Sequence, residues 1–139
     1  MAGEFSTAGA IIGLDAVTGR VTQSARSTYL ALLTSAPTDA TTEATMAEVF
    51  TPASNGYNRQ AVTWTAPTGD PASTENTSLL TFGPLTPGDA ASVGWVALVE
   101  NLTGTAGDVL MWWTVDAAKN AAVGDSITVA AGALVMTLD

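Results

Sequence analysis

Apolar residues along this chain occur in short runs, separated by segments rich in Gly, Pro, Asn and Asp. Runs of about four to eight residues bounded by turn-forming residues are typical of β-strands. Such runs predict strands at residues 28–33, 57–64, 79–82, 93–99, 108–115, 126–129 and 134–138. The pattern therefore predicts an all-β fold, an antiparallel β-sandwich or jelly-roll-like barrel of about seven to eight strands.

Two of the predicted strands, 93–99 and 108–115, carry apolar side chains on both faces, which is typical of strands covered on both sides. The glycine-containing segment 101–107 between them has the length of a hairpin loop, so we expect them to be antiparallel neighbours. Because side chains alternate along a strand, Trp112 and Trp113 point to opposite faces. One of them is either covered by a second layer or exposed for a partner, and both are interface candidates.

Residues 1–26 are rich in Ala, Gly, Ser and Thr and contain few large apolar side chains. We expect an N-terminal extended arm over 1–26 that orders on a neighbouring protein, followed by a β-sandwich domain over 27–139. The interface candidates of the arm are its large apolar residues, Phe5, Ile11, Ile12 and Leu14. In the alternative interpretation residues 9–14 form a first strand. Deleting the arm is expected to leave the domain folded but unable to attach.

Composition and charge narrow the possible functions. The 139 residues are 47% apolar and 12% charged, so enough apolar surface is present for one folded domain. The absence of Cys and His removes thiol- and histidine-dependent catalysis and the usual zinc ligands. A net charge of −9 repels phosphate backbones, so nucleic acid is not an expected partner. The apolar stretch 8–14 is too short to span a bilayer, and neither a membrane nor a cofactor is expected.

The carboxylates give no pattern typical of a metal or catalytic site. Most aspartates fall in predicted turns, where the side chain caps the local backbone: Asp15, Asp39, Asp70, Asp89, Asp108, Asp116 and Asp125. The D-x-D-x-D-G spacing of a calcium loop is absent. We therefore assign no catalytic residue and no metal ligand.

Arg59 is one of four basic residues and falls within the predicted strand 57–64. Burying a guanidinium group requires a carboxylate or several carbonyl oxygens as partners. The sequence therefore predicts a structural ion pair for Arg59, within the chain or between subunits.

From residue 28 to the end, the chain carries several short motifs whose order and spacing are informative: residues 28–32, 34–37, 48–49, 56–62, 81–82, 94–95, 123–125, 131–134 and 137–139. Together they resemble a family of small tail-fibre-like or minor structural virion proteins of tailed phages, of the siphovirus type found in actinobacteriophages. It implies a structural virion protein that is not an enzyme. Members of that family begin with a short amphipathic helix, from which the Ala- and Gly-rich start of this chain is expected to depart.

Three functions follow from these observations, in descending order. The first is a capsid decoration protein that binds the major capsid protein, or another virion protein, through its arm and self-associates, as a trimer by analogy. An acidic surface suits such a protein, which must stay soluble at high copy number in the host cytoplasm before it joins the virion. The alternative is a tail-fibre or tail-tip protein whose Trp112 or Trp113 binds a host glycan. The third is a carboxylate-dependent glycan hydrolase.

Overall fold

The computed structural model describes residues 3–86 and 91–138, so Asp89 and Asp139 lie outside the described residues. Within the described ranges the chain forms one helix and nine strands. In chain order these are β1 (Glu4–Phe5), α1 (Thr7–Thr18), β2 (Thr28–Leu33), β3 (Gln60–Val62), β4 (Ala72–Glu75), β5 (Leu80–Phe82), β6 (Ala91–Val99), β7 (Val109–Ala121), β8 (Ile127–Val129) and β9 (Val135–Leu138). The prediction of an all-β fold built from antiparallel sheets is confirmed.

The main layer is a five-stranded sheet with the strand order β1-β7-β6-β2-β3. Its centre is the antiparallel pair β6 and β7, in which Val96 lies opposite Trp113 and Ala97 opposite Trp112. Strand β4 pairs with β9 and β5 pairs with β8 in two smaller sheets. Segments that are distant in the chain are therefore joined in each of the smaller sheets.

Apolar side chains pack on both faces of the main sheet, because β2, β6 and β7 carry them at consecutive positions. The larger cluster includes Leu32 and Trp113 of the main sheet with Phe82 of β5 and Ile127 of β8. A smaller cluster contains the alternate residues of the central strands: Ala31, Leu33, Ala97, Val99, Val109 and Trp112. Met46, from the connection between β2 and β3, packs against this smaller cluster. Both faces of the central strands are thus covered within one chain.

Strand β7 contains a β-bulge at Leu110. Leu98 lies opposite Met111 and Val99 lies opposite Val109, so the register between the two strands skips Leu110. The carbonyl oxygen of Leu110 instead accepts a hydrogen bond from the backbone N–H of Ser6 at 3.0 Å. The bulge therefore determines where the N-terminal segment meets the sheet.

The N-terminal segment differs from the sequence prediction. Residues 7–18 form α1, where an extended arm, or a strand over 9–14, was expected. Ser6 caps the helix start by accepting a hydrogen bond from the Gly9 N–H, and Gly19, at φ 65°, ends the helix in the left-handed conformation. Apolar residues occur all round this helix, so no helical periodicity is visible in its sequence. The start of the chain was expected to lack the N-terminal helix of the phage family that the sequence resembles. The structure has a helix there.

Candidate assembly surface

Helix α1 is fixed to the sandwich through its first turn. The buried Ser6 hydroxyl lies within hydrogen-bond distance of the carbonyl oxygens of Val109 and Leu110, and it accepts from the Gly9 N–H at 3.0 Å. Gly9 is buried, and a Cβ at this position would overlap the Leu110 carbonyl oxygen. The absence of a side chain at Gly9 therefore lets the helix backbone lie directly on the bulge.

Beyond its first turn, α1 exposes large apolar side chains. Ile11 is 50% exposed, Leu14 65% and Val17 77%. Ile12 is half-buried and lies beside the connection over residues 21–27. A helix that is apolar all round is normally buried. The exposed part of α1 is therefore a surface suited to contact with another protein.

An apolar cleft of about 290 Å³ runs beside the exposed part of α1. The small residues Gly9, Ala10 and Gly13 line it together with larger apolar side chains: Phe5, Leu14, Val17 and Leu138. Phe5 is 39% exposed and Leu138 59%. We call the cleft and the exposed side chains Ile11, Leu14 and Val17 the α1 surface.

The α1 surface lacks charged side chains, although the chain as a whole carries −9. The acidic residue of the helix, Asp15, is half-buried and pairs with Arg20 at 2.6 Å. Glu4 precedes Phe5 in β1, and alternation along the strand directs the two side chains to opposite faces. The described residues of this surface are therefore uncharged, on a protein that is acidic as a whole.

Trp112 and Trp113, proposed from the sequence as interface candidates, are both buried, at 6% and 1% exposure. They do point to opposite faces, but each face has its own apolar cluster. The Trp113 indole N–H donates to the Val135 carbonyl oxygen at 3.0 Å, and its ring stacks on Trp64 at a centroid distance of 6.2 Å. Of the two alternatives that the sequence left open, the structure shows coverage, because neither tryptophan is presented at the surface of the single chain.

Arg59 is buried with two carboxylates of the same chain. Its Nε and Nη2 atoms donate to the two oxygens of Glu48 at 2.9 and 2.8 Å, and its Nη1 donates to Glu43 at 3.0 Å. The Arg59 and Glu43 side chains are fully buried. Nη1 and Nη2 also donate to the carbonyl oxygens of Asn101 and Gly104, at 2.8 and 3.1 Å. All five N–H donors of the guanidinium group are therefore used within the chain.

The same network orders the loop between β6 and β7. Glu43 Oε1 accepts from the backbone N–H groups of Glu100 and Asn101, at 3.0 and 2.9 Å. On the other side of Arg59, the buried Tyr57 hydroxyl donates to Glu48 at 2.7 Å and accepts from the Leu32 N–H at 3.1 Å. Burial, together with the negative charge of Glu48, raises the pKa of Tyr57 above its ordinary range. These contacts give the ionic network a structural role.

The described residues offer no arrangement typical of a metal site. Across 3–86 and 91–138, no group of three or more His, Cys, Asp or Glu side chains is placed to hold a metal ion. In the same residues, no helix is long and apolar enough to cross a membrane.

Sequence reasoning named part of this surface and missed the rest. Phe5, Ile11 and Leu14 were among the candidates, whereas Val17, Leu138 and the small residues of the cleft were not. Ser6 and Gly19 cap the helix, and this pair of residues is the sequence signal that would have placed Ile11, Leu14 and Val17 on one helix. Leu138 reaches the cleft through tertiary structure, so no local signal predicts it.

Among curated proteins, no sequence matches this chain. The model of a protein family described as podophage GP4 fiber I protein gp80 matches residues 5–137. The match spans nearly the whole chain and includes α1, the main sheet and both smaller sheets. The chain therefore belongs to the podophage GP4 fiber I protein gp80 family.

Proposed function

We propose that this protein is a structural subunit of a phage tail fibre and that the α1 surface joins it to the rest of the fibre. Membership in a fibre protein family supports a structural virion role. The observation that carries the assembly role is the exposure of Ile11, Leu14 and Val17 on a helix whose first turn is fixed to the sandwich. Burying such side chains against a partner is the favourable term that drives most protein association.

The matching family is described as a fibre protein. This favours the tail-fibre alternative over capsid decoration, which was the first function inferred from the sequence. The siphovirus and actinobacteriophage type stays a prediction, because the matching family is described as podophage. Trp112 and Trp113 are buried, so they do not support the part of the tail-fibre interpretation in which one of them stacks on a host glycan. The proposal is therefore an assembly role, without an assigned receptor.

The test is to locate the chain in virions. Phage that lack the gene are complemented with the wild-type chain or with Val17→Asp, and particles are imaged after labelling with an antibody to the chain. We expect label on the tail fibres with the wild type and loss of label with Val17→Asp, because a carboxylate in an apolar contact is costly to bury.

The matched control is Val123→Asp, since Val123 is also exposed, at 59%, and lies outside the α1 surface. Its virions are expected to label like the wild type. Label at regular positions on the capsid would replace the fibre proposal with head decoration. Unlabelled wild-type particles would exclude a virion role.

A further inference from the structure

The α1 surface combines a ridge and a groove on one helix. The small residues Gly9, Ala10 and Gly13 line the cleft together with Leu14 and Val17, whose exposed side chains form the ridge beside it. A surface that presents both shapes is complementary to another copy of itself, because the ridge of one chain fits the groove of the next.

Charge distinguishes a second copy from other occupants. Two chains that each carry −9 repel one another over most of their surfaces. Close approach is opposed least where neither chain presents a charge, and the described residues of the α1 surface carry none. A basic partner would instead be matched by acidic side chains, and none of the acidic side chains within residues 3–86 and 91–138 lines the cleft.

We propose that the α1 surface docks onto the α1 surface of another copy of this chain, with Leu14 and Val17 inserted into the neighbour's cleft. This inference deepens the proposed function, on which it rests, by naming the partner as the chain itself. In the docked state the exposed apolar side chains of α1 would be buried, as is normal for a helix that is apolar all round.

The experiment measures the mass of the purified full-length chain by sedimentation equilibrium over a range of protein concentrations. We expect association to a multiple of the single-chain mass of 14.0 kDa. Leu14→Asp should weaken this association about tenfold or more, because it places an unpaired carboxylate in the contact. The control Leu79→Asp makes the same change at a residue that is 62% exposed, against 65% for Leu14, and should associate like the wild type.

A second variant tests the groove without removing the ridge. A Cβ at Gly13 would meet no other atom within 4 Å, so the helix has room for a side chain there, and Gly13→Leu places one at the cleft that Gly13 lines. The substitution also favours helix formation, so a loss of association could not be attributed to melting of α1. We expect the Gly13→Leu chain to remain at the single-chain mass.

A wild-type chain that stays at 14.0 kDa throughout would overturn self-docking. So would variants of Leu14 and Gly13 that associate as well as the wild type. If the monomeric chain is nevertheless found on tail fibres and is lost with Val17→Asp, the fibre proposal stands and the partner is another virion protein. If the chain associates but is absent from virions, the fibre proposal fails and self-docking stands.

Discussion

At the residue scale, the hydrogen bonds and ion pairs of Arg59 show how a basic side chain can be fully buried in this fold. Two carboxylates and two backbone carbonyl groups receive its donors, and Tyr57 supplies one more donor to Glu48. No buried side-chain nitrogen or oxygen among the described residues is left without a hydrogen-bond partner. A buried network of this kind costs little when complete, and it becomes destabilising when one member is removed.

Replacing Arg59 with Met should therefore lower the free energy of unfolding by about 3–5 kcal/mol, because the charges of the buried Glu43 and the largely buried Glu48 would be left uncompensated. The measurement is urea-induced unfolding followed by tryptophan fluorescence. Arg26→Met is the matched control, because Arg26 also pairs with a glutamate, Glu100, at 2.7 Å, but both side chains are about one-third exposed. This control should cost about 0–1 kcal/mol. Equal losses in the two variants would contradict the structural role of the Arg59 network.

At the element scale, α1 depends on its docking to β7. A helix of 12 residues is marginal by itself in water, and this one contains glycine and β-branched residues, which have low helix propensity. The contacts of Ser6 and Gly9 with the bulge at Leu110 hold its first turn. The orientation of the exposed ridge is therefore determined by the fit at that turn.

Two Gly→Ala substitutions in the same helix separate docking from helix propensity. Gly9→Ala forces a Cβ against the Leu110 carbonyl oxygen and should destabilise the protein by about 1–3 kcal/mol. Gly13→Ala meets no atom within 4 Å and should stabilise it by about 0.5–1 kcal/mol. Urea unfolding of the dilute protein gives both values, and hydrogen exchange of residues 7–18 shows whether the helix has opened. Similar values for the two variants would mean that α1 is not packed on the bulge.

At the scale of the whole molecule, the first residues of the chain belong to the sandwich as well as to the assembly surface. Glu4 and Phe5 pair with Trp112 and Met111 at the edge of the main sheet. The Gly3 N–H donates to the Val135 carbonyl oxygen at 3.3 Å. Some residues ahead of the expected boundary between 26 and 27 therefore pack on the sandwich.

A chain that lacks residues 1–26 should fold, because the buried apolar residues of both clusters lie between Leu30 and Leu134. It should nevertheless be less stable than the full chain, since the edge of β7 loses the hydrogen bonds of β1 and Ser6. Circular dichroism and urea unfolding test both expectations. An unfolded product would show that β1 is required for the fold, and unchanged stability would show that its pairing contributes nothing.

The sequence by itself determined the strands whose burial is encoded locally. Strands β2 and β6 and the first half of β7, up to residue 115, follow from runs of apolar residues, because a strand covered on both faces needs apolar side chains on both. The continuation of β7 to Ala121, through Asp116 and Lys119, was not predicted. The sequence also required a partner for Arg59, since burying a lone guanidinium group is too costly.

Only the tertiary structure decided which segments meet. Glu43 and Glu48 lie 16 and 11 residues from Arg59 and reach it through an irregular connection that no periodicity describes. The coverage of both Trp112 and Trp113 depends on packing against distant segments, and the position of α1 depends on a one-residue shift in strand register at Leu110. The physical reason is that local patterns specify which side chains must be buried, whereas register and chain connections specify what buries them.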